Sequence, residues 1–199
     1  AKHLEGLGQD EAAAHHYELA GTHKKDVPRL LVQRRRFGDL QAYVSRQRDR
    51  ELTRWLGQYA LSQGNTELAD KLFREARAAL DLTRLLCVRG DFKAAYQIVM
   101  GSGDVAAAVH LARQLELQDR PKDAINLLEK ASRFGEAVRI AKAAGMETEL
   151  MTMALRAPPV AQREAARHFQ DHGQVNKAVQ LLRRAGDLGA AMALCFEGN

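Results

Sequence analysis

The sequence predicts an all-α fold, a row of about seven short helical hairpins, and three observations carry that expectation. A small pattern of residues returns about every 27 positions. The composition favours helices packed on small side chains. Glycine-polar pairs punctuate the chain at intervals that match the repeat. No run of alternating Val, Ile or Thr is long enough to read as a strand.

The pattern reads small, then bulky four residues on, then small three further on. Its clear copies are Ala13/Tyr17/Ala20, Ala69/Phe73/Ala76, Ala95/Val99/Ser102, Ala124/Leu128/Ala131 and Ala178/Leu182/Ala185. Weaker copies are expected at Ala42 and Met151, where Arg46, Asp49 and Pro158 replace the usual residue types and predict bends. Offsets of four and seven lie on one helix face, so each copy marks the packed side of a helix. A fixed period of this size is the signature of stacked hairpins.

Hydrophobic residues make up 46% of the chain but aromatics only 6%, so a core must come mainly from Ala and Leu. Both are strong helix formers. Pro28, Pro121, Pro158 and Pro159 are expected at helix boundaries, because proline lacks the N–H that a helix interior requires.

Helix ends are marked by Gly8-Gln9, Gly64-Asn65, Gly90-Asp91, Gly103-Asp104, Gly173-Gln174 and Gly186-Asp187. Glycine in the left-handed conformation closes one helix, and the polar residue after it caps the next. This punctuation predicts about fourteen helices of roughly 10–14 residues. Leu56-Gly57 stands thirteen and twelve residues before Ala69; Leu111-Ala112 and Ala165-Ala166 stand in the same relation to Ala124 and Ala178. That layout approximates the tetratricopeptide hairpin, with a period shorter than its usual length of about 34 residues. The expected architecture is therefore a tetratricopeptide-like α-solenoid wound as a right-handed superhelix. A single array is expected across residues 1–199, as a piece of a longer chain.

Charge is uneven. Residues 22–54 hold ten basic against four acidic residues, +6 in all, which exceeds the net +5 of the whole chain. Arg34, Arg35, Arg36, Arg46, Arg48 and Arg50 are the candidate partner-binding cations of that stretch. Such a patch suits an acidic protein partner, an anionic membrane surface or nucleic acid. The plainer reading is a solvated helix exterior with structural pairs, such as Arg50 with Asp49 or Glu51. Only Phe37 and Tyr43 interleave with the cations, and single-strand binding usually wants more stacking aromatics, so no nucleic acid is expected.

Other residues carry weaker signals. Glu164, His168 and His172 share a face at four-residue spacing, which can hold a metal but reads first as a surface histidine pair. His15, His16 and His110 are expected to be partly buried and hydrogen-bonded. Trp55 and Tyr59, one turn apart, are expected in a core layer, with an interface anchor as the alternative. Cys87 and Cys195 are expected as two buried, reduced thiols of a cytoplasmic chain. Gly101-Ser102-Gly103-Asp104 reads as a helix-to-helix turn. No nucleophile elbow, phosphate loop or dinucleotide fingerprint appears, so neither an enzyme nor a cofactor is expected. No apolar stretch approaches the roughly 20 residues of a membrane span.

The opening, with Ala1-Lys2-His3, His16-Tyr17-Glu18-Leu19, Thr22-His23 and Val27-Pro28-Arg29, resembles the helical-repeat region of an intraflagellar transport complex A subunit. Thr53–Gly64, His110–Glu116 and Glu164–Gly173 extend the resemblance over most of the chain, while the Arg-rich 33–50 stretch departs from it. The resemblance implies a scaffold in a longer protein with WD-repeat propellers. Its implied partners are other complex A subunits and ciliary cargo adaptors, and its implied places the cilium or flagellum and basal body. Implied roles are return transport from the ciliary tip and entry of membrane cargo. A vesicle-coat or tethering solenoid shares the architecture, and an RNA-binding helical repeat is the reading from a different class.

Overall fold

A computed structural model describes residues 1–197, which form two compact units, the first Ala1–Ala78 and the second beginning at Ala79. The first holds α1 (Lys2–Gly6), α2 (Asp10–Leu19), α3 (His23–Gln33), α4 (Phe37–Gln47), α5 (Arg50–Ser62) and α6 (Thr66–Glu75). The second holds α7 (Ala79–Val88), α8 (Phe92–Ser102), α9 (Val105–Leu117), α10 (Pro121–Lys130), α11 (Phe134–Ala143), α12 (Glu147–Ala154), α13 (Pro159–Asp171), α14 (Val175–Arg184) and α15 (Leu188–Glu197). No strand occurs among the described residues, and no helix there is long and apolar enough to cross a membrane.

Within each unit every helix packs against the next one in the chain. Alternate helices meet as well, α7 with α9 and α11 with α13. That is the contact scheme of stacked hairpins, in which each repeat touches mainly its neighbours. The second helix of each pair buries the predicted alanine: Ala13, Ala69, Ala95, Ala124 and Ala178 are all fully enclosed.

Each of these alanines stands four residues after the residue that caps its helix. Applying that ruler corrects the two weak copies. In α4 the enclosed residue is Leu40, with Val44 one turn on, and Ala42 faces solvent. In α12 it is Leu150, followed by Ala154, rather than Met151. A leucine fills these two sites, so a pattern that began with a small residue slipped by one or two positions.

The turns follow the expected chemistry. All six glycines of the glycine-polar pairs take positive φ. At Gly64 the backbone N–H groups of Gly64 and Asn65 reach back to the carbonyls of Leu61 and Ala60, closing α5 in a Schellman turn. Asn65, Asp91, Asp104 and Asp187 then accept backbone N–H bonds with their side chains and cap the next helix. Gln9 and Gln174 make no such cap. Arg35, Arg48, Arg77, Asp119 and Ser132 adopt the same left-handed conformation in the remaining turns without being glycine.

Three prolines begin helices as expected, Pro121 and Pro159 at the first helical position and Pro158 just before. Pro28 does not. It lies inside α3, buried. It stands twelve residues before Leu40, the position that Gly57, Thr83, Ala112, Val138 and Ala166 occupy in the later hairpins. Burial at this helix crossing outweighs the one backbone hydrogen bond a proline forfeits.

Candidate functional site

Nine of the ten cations in the basic stretch fall into two groups. Four are paired with carboxylates, three of them between helices of the first unit. Arg29 grips both carboxylate oxygens of Glu5 at 2.8 Å, and the Tyr17 hydroxyl donates to the same carboxylate at 2.7 Å. Arg34 pairs with Asp10 at 3.2 Å and donates to the Glu5 carbonyl at 2.8 Å. Lys24 pairs with Asp49 at 2.5 Å, and Arg36 with Asp39 at 2.7 Å. These contacts bind α1 and α2 to the region around α3, and α3 to the start of α5.

The Arg29 hydrogen bonds, then that of Tyr17, pull the Glu5 carboxyl down from 4.5 to about 2. Hydrogen bonding from Lys24 likewise lowers Asp49. Asp49 also caps α5 by accepting from the Leu52 N–H at 3.0 Å. With Asp49 so occupied, the expected pair with Arg50 does not form.

Lys25, Arg35, Arg46, Arg48 and Arg50 remain exposed and have no acidic partner among the described residues. Arg46 reaches only the Ala42 carbonyl, at 3.3 Å. Of the six candidate cations, then, Arg34 and Arg36 are tied into the fold, and Arg35, Arg46, Arg48 and Arg50 face outward around α4. Arg35 and Arg48, at φ 57° and 51°, bracket that helix in left-handed turns.

Against the expectation of a core layer, Trp55 lies at the surface, 36% exposed. It stacks on Tyr59 with ring centres 5.9 Å apart and planes 12° from parallel. Phe37 of α4, 45% exposed, also meets Tyr59, ring centres 6.0 Å apart. The reason is rotational. Leu56 and Gly57 face α6, and a neighbour one residue away on a helix points roughly 100° aside. The result is a surface row of three aromatics beside Arg35 and Arg36. Phe37 was noted in the sequence only as a member of the charged stretch. Tyr43, its companion there, is buried.

The histidines do not assemble a site. His168 and His172 do meet, ring centres 4.2 Å apart, but His172 Nδ1 bonds the His168 carbonyl at 2.7 Å and Glu164 stays exposed. Burial, then His172, lowers the His168 pKa. No group of three His, Cys, Asp or Glu side chains suits a metal among the described residues. His15 and His16 are exposed rather than partly buried. His110 is half-buried without a hydrogen-bond partner among the described residues, and burial lowers its pKa. Both thiols are free; Cys87 is buried, its pKa raised by that burial, while Cys195 is exposed, contrary to expectation. Gly101 and Ser102 end α8, Gly103 turns and Asp104 caps α9, the helix-to-helix turn expected.

Hairpins stacked in sequence, with chemistry presented on open faces, define a tetratricopeptide-like repeat protein. The chain belongs to the TPR domain family of the intraflagellar transport proteins one-hundred-and-forty and one-hundred-and-seventy-two, which it matches over residues 1–199. Among solved structures it is similar to a Podosopora anserina kinesin-light-chain-like protein of nearly identical TPR-like repeats. That match has 17% identity, 97% of this chain, 99% of the other and a TM-score of 0.39. A second structure of that protein matches at 18% identity, over 96% of this chain and 99% of the other, with a TM-score of 0.38.

Proposed function

We propose that this chain is a scaffold segment of intraflagellar transport complex A, drawn from its one-hundred-and-forty-kilodalton subunit. In this reading it holds other complex subunits and cargo adaptors during return transport from the ciliary tip and entry of membrane cargo. The observation that carries the proposal is the family match along the whole chain, on a fold built of helical hairpins. The open surface around α4 and α5 is the first contact region, because it presents Trp, Tyr and Arg together, the residue types that dominate binding hot spots. Its exposed arginines suit an acidic protein surface, or the headgroups of an anionic membrane close to the cargo.

The test is made in ciliated cells whose endogenous protein is replaced by a version lacking residues 1–199. Complex assembly, membrane-cargo entry and tip-to-base movement are then followed. Loss of assembly with stalled return transport is expected. Normal assembly, cargo entry and movement contradict the proposal, and a defect confined to Golgi or endosomal traffic favours a coat subunit instead.

A further inference from the structure

The turn residues give each hairpin a common ruler. Seven positions before the cap of the second helix, the first helices carry Arg29 in α3, Gln58 in α5, Arg84 in α7, Arg113 in α9, Arg139 in α11 and Arg167 in α13. Arg29 is engaged by Glu5, and Arg139 forms a two-pronged pair with Glu116 at 2.9 and 2.7 Å. Arg84 and Arg113 are exposed and make no hydrogen bond or ion pair among the described residues. Glu116 and Glu136, which feel the charge of Arg113, are taken by Arg139 and Arg133.

Four residues beyond each of these two arginines stands a bare aliphatic side chain. Val88 and Leu117 are the last residues of α7 and α9, 87% and 75% exposed. Residues four apart share a helix face, and α7 and α9 pack side by side. Arg84 and Arg113 hold equivalent places on these two neighbouring helices. The corresponding pairs elsewhere are Arg29/Gln33, Gln58/Ser62, Arg139/Ala143 and Arg167/Asp171. A large aliphatic therefore follows the arginine only in these two consecutive hairpins.

Nothing among the described residues accounts for this arrangement. The aliphatics bury little against the chain, and the two arginines have no carboxylate partner among the described residues. Both conditions are relieved by a partner that brings carboxylates and apolar groups together. We propose that the α7–α9 face docks a short acidic, amphipathic segment of another protein. Its carboxylates meet Arg84 and Arg113, and an apolar side chain seats on Val88 and Leu117. Nucleic acid fits less well, since the four-residue patch holds no aromatic on which a base could stack. This docking face goes beyond the scaffold reading and does not depend on the α4–α5 surface.

Fluorescence anisotropy of the 199-residue chain tests it. The probes are synthetic helical peptides carrying Glu and Leu four residues apart, matched peptides with Lys in place of Glu, polyuridine, and phosphatidylserine vesicles. The Glu/Leu peptides should bind. Arg84→Glu with Arg113→Glu, and separately Val88→Ser with Leu117→Ser, should each weaken binding by about tenfold or more. All four side chains are exposed, so the melting curve should stay put. Arg35→Glu with Arg48→Glu should leave the affinity unchanged, which separates this face from the α4–α5 surface. The proposal is overturned if no Glu/Leu peptide binds, or if either pair of changes leaves binding intact. Equal binding of the Lys peptides, or tighter binding of polyuridine or vesicles through the same arginines, overturns it too.

Discussion

Gly57 sets the distance between α5 and α6. A Cβ at this position would lie 2.7 and 2.8 Å from the Phe73 ring and 3.3 Å from Leu72 Cβ, and Phe73 is itself enclosed. Gly57→Ala should therefore overpack the crossing at about 1–3 kcal/mol, read as a lowered melting temperature. The equivalent Thr83 offers the opposite change. Its hydroxyl is fully buried with no hydrogen-bond partner, so Thr83→Val should leave stability unchanged or raise it by up to about 1–3 kcal/mol. A clear loss in thermal denaturation would show that the hydroxyl has a partner. Glu5 links the same physics to pH. It binds a proton less readily folded, at about 2, than at its ordinary 4.5. Its stabilising effect is thus complete above pH 4.5 and is lost as pH falls toward 2. Hydrogen exchange should show α1 opening across that window, and Glu5→Gln should flatten the pH dependence.

Turn chemistry decides what can be read at the level of the element. Glycine turns were legible because glycine adopts positive φ without steric cost. Those at Arg35, Arg48, Arg77, Asp119 and Ser132 were not, because nothing about these residue types announces a left-handed backbone that the flanking helices impose. Ser132→Gly should relieve that cost and raise stability by up to about 1 kcal/mol, while Gly64→Ala should lose about as much. Equal melting temperatures for both variants would mean the turns are not strained. The alanine face was legible for a related reason, since small, bulky and small residues at offsets of four and seven fall on one helix face. Leu40 and Leu150 escaped because a leucine fills the position that alanine holds in the other hairpins. Trp55 was misplaced because its size suggested burial, although its one-residue offset from Leu56 already turned it outward.

On the scale of the whole molecule, hairpins that each bury a narrow alanine-rich stripe leave long faces free, and repeat proteins use such faces to bind. The cations of 22–54 show how far composition leads and where it stops. Their excess was visible in the sequence, but the division between the tethers of Arg29 and Arg34 and the outward Arg35, Arg46, Arg48 and Arg50 required positions. The aromatic row was hidden because Phe37 and Tyr59 lie twenty-two residues apart. Under the proposed function, this surface joins the chain to its complex while the hairpins supply the frame. The most direct measurement is co-elution with purified sibling subunits, comparing the native chain with Phe37→Ser, Trp55→Ser and Tyr59→Ser combined. The combined variant should keep its helical signal yet fail to co-elute. Co-elution undiminished, with the frame intact, would contradict the claim.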